Sequence, residues 1–189
     1  MVSIASLWLP ILLSAVLVFI ASSLMHTVLK YHDSDYRKLP DEDAALAALR
    51  GLNIPPGNYC APRPSGGADR KDPAFLAKVK QGPMLLLCVR AGGSMGMGPM
   101  LIQWYVYVLV VSALVAYLAG HTLAVGATYP AVFRVAGFTA FMAYAVGQPI
   151  EGIWYSRTWS SVWKNVVDGL VYGLLTGGVF GWLWPRVIA

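Results

Sequence analysis

The sequence predicts an all-α membrane protein, with four transmembrane helices and a small α/β cytoplasmic insertion between the first and second. Three observations carry this. The chain is 189 residues long, 57% hydrophobic and only 12% charged, whereas soluble domains are about a quarter charged. Its charges are unevenly placed: ten of the 14 Lys and Arg and seven of the nine acids fall between Lys30 and Arg90. The rest of the chain consists of apolar runs, each near the roughly 20 residues that span about 30 Å of hydrocarbon.

Residues 1–29 form the first span. From Ile4 to Leu29 there is no Asp, Glu, Lys or Arg. The run lacks a basic n-region and a small-residue cleavage site and is too long for a signal-peptide core, so it is expected to be a retained helix. Residues 100–189 form a three-helix region with spans at 100–119, 131–148 (closed by Pro149) and 163–184. Trp159 and Trp163 at one end of the last span, and Trp182 and Trp184 at the other, are about 28 Å apart and suit two interfacial belts.

Between the first two spans, residues 30–99 read as a polar α/β domain. Asp41 is placed to cap a helix over Glu42–Arg50 that stops at Gly51, and Asp72 to cap a second with Pro73 at its first turn and Gly82-Pro83 at its end. Met84 to Arg90 reads as a strand, with Asn58 to Ala61 as its short partner. Cys60 and Cys88 match no CxxC or metal spacing and are expected to be thiols.

Orientation follows from the flanking cations. Lys30, Arg37, Lys38, Arg90, Arg157 and Lys164 lie on one side, while the loop from Gly120 to Tyr129 holds no Lys or Arg and Arg186 stands alone near the end. By the positive-inside rule the N- and C-termini are periplasmic and residues 30–99 cytoplasmic. The formal charge of +5 then reflects juxtamembrane residues, and without an aromatic-interleaved basic patch no nucleic-acid partner is expected.

The last span carries a small-residue pattern: Gly169, Gly173, Gly177 and Gly181 recur every four residues. Such a GxxxG groove admits the close approach of another backbone. Ala136, Ala140, Ala143 and Gly147 make the matching face on the third span. The groove either packs against that span or docks a second protein or another copy of the chain.

Polar residues converge near the cytoplasmic leaflet: His26, Gln103, Gln148, Glu151 and Asp168. Asp168 lies about 7 Å deeper than Trp163 along its helix, and an acid there is costly unless paired or wetted. An intrahelical pair with Lys164 satisfies it in one reading; an ion path, or an acid/base site with His26, uses it in the other. Tyr172 and Thr176 continue the stripe. Arg134 is placed to snorkel outward. His121 is about a membrane thickness from His26, so the two cannot share a haem, and His32 follows His26 by six residues, a poor spacing for one helical face. Met95, Met97 and Met100, with Met25 near the same level, admit a Cu(I) site, but a flexible hinge that contains Met is the simpler reading. The glycine-rich stretch from Gly92 lacks the Gly-Lys-Ser/Thr ending of a P-loop, and no hydrolase signature is present. No catalytic residue, metal or cofactor is therefore assigned.

Ile153-Trp154-Tyr155-Ser156-Arg157, Trp159-Ser160, Asp168-Gly169-Leu170-Val171-Tyr172 and Gly181-Trp182-Leu183-Trp184-Pro185, together with the stretch from His32 to Arg50, resemble a family of small, uncharacterised bacterial inner-membrane proteins with four spans. The resemblance covers most of the chain and implies the bacterial inner membrane as location; it implies no activity.

The expected function is that of a non-catalytic accessory or assembly protein, held in the lipid bilayer and associating with other membrane proteins or with itself. The alternative is a small transporter or ion-linked protein with a polar site at the cytoplasmic leaflet. An enzyme acting on lipid headgroups, with His26 and Asp168 as acid and base, is the third.

Overall fold

The computed structural model describes residues 1–93 and 96–186. The chain divides into two compact units, Met1–Tyr36 with Gly96–Ala189, and Arg37–Met95. The smaller unit thus begins at Arg37 rather than at Lys30, because residues 31–36 are bonded into the helical unit.

In chain order the elements are α1 (Trp8–Thr27), α2 (Glu42–Gly51), β1 (Gly57–Ala61), α3 (Pro73–Gln81), β2 (Leu85–Val89), α4 (Gly98–Thr122), α5 (Tyr129–Phe141), α6 (Pro149–Tyr155) and α7 (Trp159–Trp182). Short 3-10 turns cover Ile4–Leu7, Tyr31–Asp35 and Asp69–Lys71, and a π-helical turn covers Met142–Val146.

In the smaller unit the caps stand where the sequence puts them. Asp41 accepts from the Ala44 amide at 3.0 Å and Asp72 from Ala74 at 3.2 Å, with Pro73 opening α3. Strands β1 and β2 pair antiparallel, with Tyr59 opposite Leu87. Among the described residues of this unit none is fully buried, as expected of about 60 residues with little apolar material.

The helical unit has the opposite character. Among the described residues, three of its segments are long and apolar enough to cross a membrane: Ile4–Thr27, Gly98–Thr122 and Tyr129–Tyr155. The third includes Pro149, which follows a turn at Gly147 and Gln148 and opens the short helix α6, where its missing N–H costs nothing. Helix α7 has the length, at 24 residues, but Asn165, Asp168 and its glycines dilute its apolar character.

Small or slender side chains make up most of the inside, with Leu7 and Phe180 as large exceptions: Ala15, Val18, Val108, Ala116, Ala136 and Ala140 are fully buried. Bulky ones such as Ile20, Leu24, Leu114, Phe138 and Leu174 face outward. This inversion suits a body solvated by lipid, where close backbone packing rather than burial of large side chains holds helices together.

Helix α7 meets α5 and the π turn along its glycines. A Cβ on Gly169 would stand 2.8 Å from the Ala145 Cβ, on Gly173 2.9 Å from the Gly137 carbonyl, on Gly177 2.9 Å from the Phe133 carbonyl and on Gly181 2.8 Å from the Tyr129 ring. The face received is therefore Tyr129, Phe133, Gly137, Phe141 and Ala145, not the expected Ala136, Ala140, Ala143 and Gly147. Ala136 and Ala140 are buried in the core, while Ala143 and Gly147 are exposed. Gly137 and Phe141 stand one position on from the expected Ala136 and Ala140, so the offset is set within α5 itself, and Ala145 continues the same four-residue row into the π turn.

The N-terminal segment is tied down where the Val2 amide donates to the Gly120 carbonyl at 2.8 Å. At the far end of α7 the Trp184 ring is 4% exposed and donates to the Ala124 carbonyl at 3.0 Å. Trp184 is thus a packing residue rather than a belt residue, leaving Trp159, Trp163 and Trp182 exposed at the two ends of α7.

Candidate functional site

The site forms where α1 ends. Helix α1 stops at Thr27, and Lys30 adopts a left-handed backbone (φ 53°), uncommon for a residue with a Cβ. That reversal folds the turn Tyr31–Asp35 back over the helix end, so His32 stacks on His26 with ring centroids 4.2 Å apart and planes 6° from parallel. A helical spacing argument gave no reason to join them.

His32 sits between two carboxylates. Its Nδ1 is 2.6 Å from Asp35 Oδ2 and its Nε2 is 2.9 Å from Asp168 Oδ2. Both contacts are satisfied by an imidazolium that donates from each nitrogen, or by a neutral ring that donates from Nδ1 to Asp35 and accepts at Nε2 from a protonated Asp168. His26 Nδ1 lies 2.9 Å from the Ser22 carbonyl, which can only accept, so Nδ1 carries a proton and the neutral ring presents its lone pair at Nε2. That Nε2 is 3.9 Å from Asp168 Oδ2.

Lys164 does not pair with Asp168 as expected. Its ammonium donates to Asp35 Oδ1 at 2.9 Å, to Ser34 Oγ at 2.7 Å and to the Tyr31 carbonyl. The ammonium and the His32 ring thus hold Asp35 from two sides. Burial alone pushes the Asp35 carboxyl up, but the hydrogen bonds from His32 and Lys164 outweigh it, so its pKa lies below the ordinary carboxylate value.

Asp168 is 3% exposed and its Oδ1 is buried without a hydrogen-bond partner. It faces a cavity of about 510 Å³ bounded by α1, α4, the π turn and α7. Trp104, Tyr107, Tyr144 and Tyr172 give the cavity an aromatic wall, braced by the Trp104 indole donating to Ser22 Oγ at 2.8 Å. Tyr144 is set in the π turn, and its hydroxyl, like Asp168 Oδ1, is buried without a partner. Arg157 lines the same cavity and donates to the Tyr36 hydroxyl at 2.7 Å. A larger groove of about 740 Å³ lies elsewhere, on the outer surface of α5, but its lining is nearly all apolar.

Of the five polar residues singled out in the sequence, the fold brings His26, Gln148 and Asp168 to this cavity. Gln103 is exposed on α4 and lines no part of it; Glu151 is half-buried in α6, outside the lining. Met97 and Met100 stand at the rim, Met25 is buried in the core, and Met95 lies outside the described residues. Thr176 is buried beyond the cavity. Arg134 is exposed and donates to the Pro130 carbonyl, and His121 bonds the Tyr117 carbonyl at 2.7 Å. Sequence reasoning set His32 aside on spacing and missed Asp35 and, of the aromatic wall, Trp104, Tyr107 and Tyr144. The signal for the first two was the i, i+3 pair in the His-Asp-Ser-Asp run just past a helix end.

Comparison with protein-family models, with curated proteins and with solved structures finds no match to this chain.

Proposed function

We propose that the chain is a multi-pass membrane protein with an ion-linked role, taking up a cation at the His26–His32–Asp168 site. One observation carries the reading: Asp168 is almost wholly buried, has an unpartnered carboxylate oxygen, and faces a cavity beside two imidazoles. An intramembrane acid so placed is a site by default, because burial without function would select against it.

The test is cation uptake by proteoliposomes holding the full chain, followed by elemental analysis of washed vesicles for Na⁺, K⁺, Mg²⁺, Mn²⁺ and Zn²⁺ in turn. Uptake of one of these should fall at least ten-fold in Asp168→Asn and stay unchanged in Arg50→Ala, which lies in the other unit. Uptake equal to that of protein-free vesicles, or insensitive to Asp168, would count against it.

In this reading α7 is a fourth crossing. Its 24 residues extend about 36 Å, and exposed Trp159, Trp163 and Trp182 suit two headgroup levels. The cation-rich flanks support periplasmic termini and a cytoplasmic 37–95 unit, and the family resemblance supports the bacterial inner membrane.

The chain's two cysteines report on this directly, since Cys60 and Cys88 are free and exposed in that unit. A membrane-impermeant maleimide should label both in inverted vesicles and neither in intact spheroplasts; the reverse pattern would invert the topology. The accessory reading retains one support: Leu46, Leu76, Met84 and Leu86 stay exposed in the smaller unit. A photocrosslinking maleimide on the same cysteines tests it, since a defined partner captured in native membranes is what that reading requires.

A further inference from the structure

Resting on the site reading above, we propose that the cation is a divalent first-row transition metal ion, held by His26 Nε2, His32 Nε2 and the Asp168 carboxylate. These donors all lie within 4.8 Å of one another. A tetrahedral ion with bonds of about 2.0–2.1 Å sets its donors about 3.3 Å apart. His32 Nε2 and Asp168 Oδ2 at 2.9 Å need to open slightly, and His26 Nε2 at 3.9 Å needs to approach. The His26 side chain is 48% exposed, and its ring must tilt out of the parallel stack on His32 to aim Nε2 at the ion.

The surroundings have the form that metal sites require. A ligating imidazole ordinarily donates its other N–H to a carboxylate or carbonyl, which fixes the tautomer and strengthens the ligand. Here His32 Nδ1 faces Asp35 and His26 Nδ1 faces the Ser22 carbonyl. Lys164 in turn holds Asp35 in place. Asp168 brings the second observation, a buried oxygen with no partner.

Two imidazoles and one carboxylate suit Zn²⁺ or Fe²⁺ rather than Mg²⁺ or Ca²⁺, which prefer an all-oxygen shell. Three protein donors leave a coordination position open toward the cavity. On binding, the ion displaces the proton between His32 Nε2 and Asp168 Oδ2, and that proton leaves to solvent.

The experiment uses the full-length chain purified in detergent, stripped with chelator and titrated with Zn²⁺, and separately with Co²⁺ for its visible absorption. Wild type should bind one equivalent in the micromolar range or tighter, with cobalt bands typical of four-coordinate nitrogen and oxygen ligation. His26→Ala, His32→Ala and Asp168→Asn should each weaken binding at least about 100-fold, and Asp35→Asn by about 10–100-fold. His121→Ala should bind as wild type. His26→Ala serves as the folding-safe variant, because that side chain is half exposed; circular dichroism confirms its helix content.

Absence of binding by wild type, or binding unchanged in His26→Ala with native helicity, overturns the metal assignment. Uptake of an alkali cation that depends on Asp168, without Zn²⁺ or Co²⁺ binding, overturns it while leaving the ion-linked reading intact. Metal binding that follows the variants but without vesicle uptake upholds it, and removes transport from the reading instead.

Discussion

Gly177→Leu is expected to prevent the helical unit from assembling, costing about 3 kcal/mol or more against a total stability of about 5–15 kcal/mol. The reason is what the new side chain would meet. A Cβ there stands 2.9 Å from the Phe133 carbonyl, 3.0 Å from the Gly137 Cα and 3.2 Å from the Gly137 nitrogen. All three are backbone atoms of α5, so no rotamer change relieves the clash and the two helices must separate. In lipid that separation forfeits the close dispersion contacts holding them, with no hydrophobic gain to offset it.

The control is Gly147→Leu, a substitution of equal size at the end of the π turn, where a Cβ meets nothing within 4 Å. It should change stability by less than about 1 kcal/mol. Thermal unfolding in detergent, read by circular dichroism and size-exclusion profile, separates the two. Equal melting of both variants would mean that the α5–α7 approach is not what holds the body together. When Gly177→Leu melts early as expected, a partner protein lost from its membranes reports misfolding, since this glycine face is already filled by the chain's own α5.

The parts of the fold legible in the sequence are those set by local chemistry. Asp41 and Asp72 cap their helices because a carboxylate accepts the first free amides wherever the chain turns into a helix. The long apolar runs become helices because an unpaired peptide group in hydrocarbon is too costly. The glycine groove was legible, and so was the third span as a candidate occupant; the row it presents was not, because Phe133, Gly137 and Phe141 carry no small-residue pattern and stand one position off the Ala136–Ala140 face.

The site was half legible for the same reason. Asp168 and His26 stand out as polar residues in apolar runs. His32 and Asp35 join them through a chain reversal at Lys30, a residue with no intrinsic preference for positive φ. What holds the reversal is tertiary: Lys164 on α7 reaches across to the turn, and no local rule pairs it with Asp35 rather than with Asp168 one turn away on its own helix.

That tertiary tie makes Lys164→Met the second large effect. Asp35 and Lys164 have side chains 8% and 18% exposed and meet at 2.9 Å. Removing the ammonium while keeping the stem volume leaves the carboxylate buried with the His32 ring as its remaining side-chain partner, and breaking such a pair costs about 3–5 kcal/mol. The turn Tyr31–Asp35 also loses the bonds from Lys164 to the Tyr31 carbonyl and to Ser34, so it should detach from α7 and take His32 away from Asp168. Trypsin cleavage after Lys30 should accelerate accordingly, before any global unfolding. The double variant Asp35→Asn/Lys164→Met should recover much of the lost stability, because it removes the stranded charge rather than one half of a pair. If Lys164→Met melts within about 0.5 kcal/mol of wild type and Lys30 stays protected, the Lys164–Asp35 contact is a surface pair of little weight. His32 would then owe its place to the stacking on His26 and the bond to Asp168 alone.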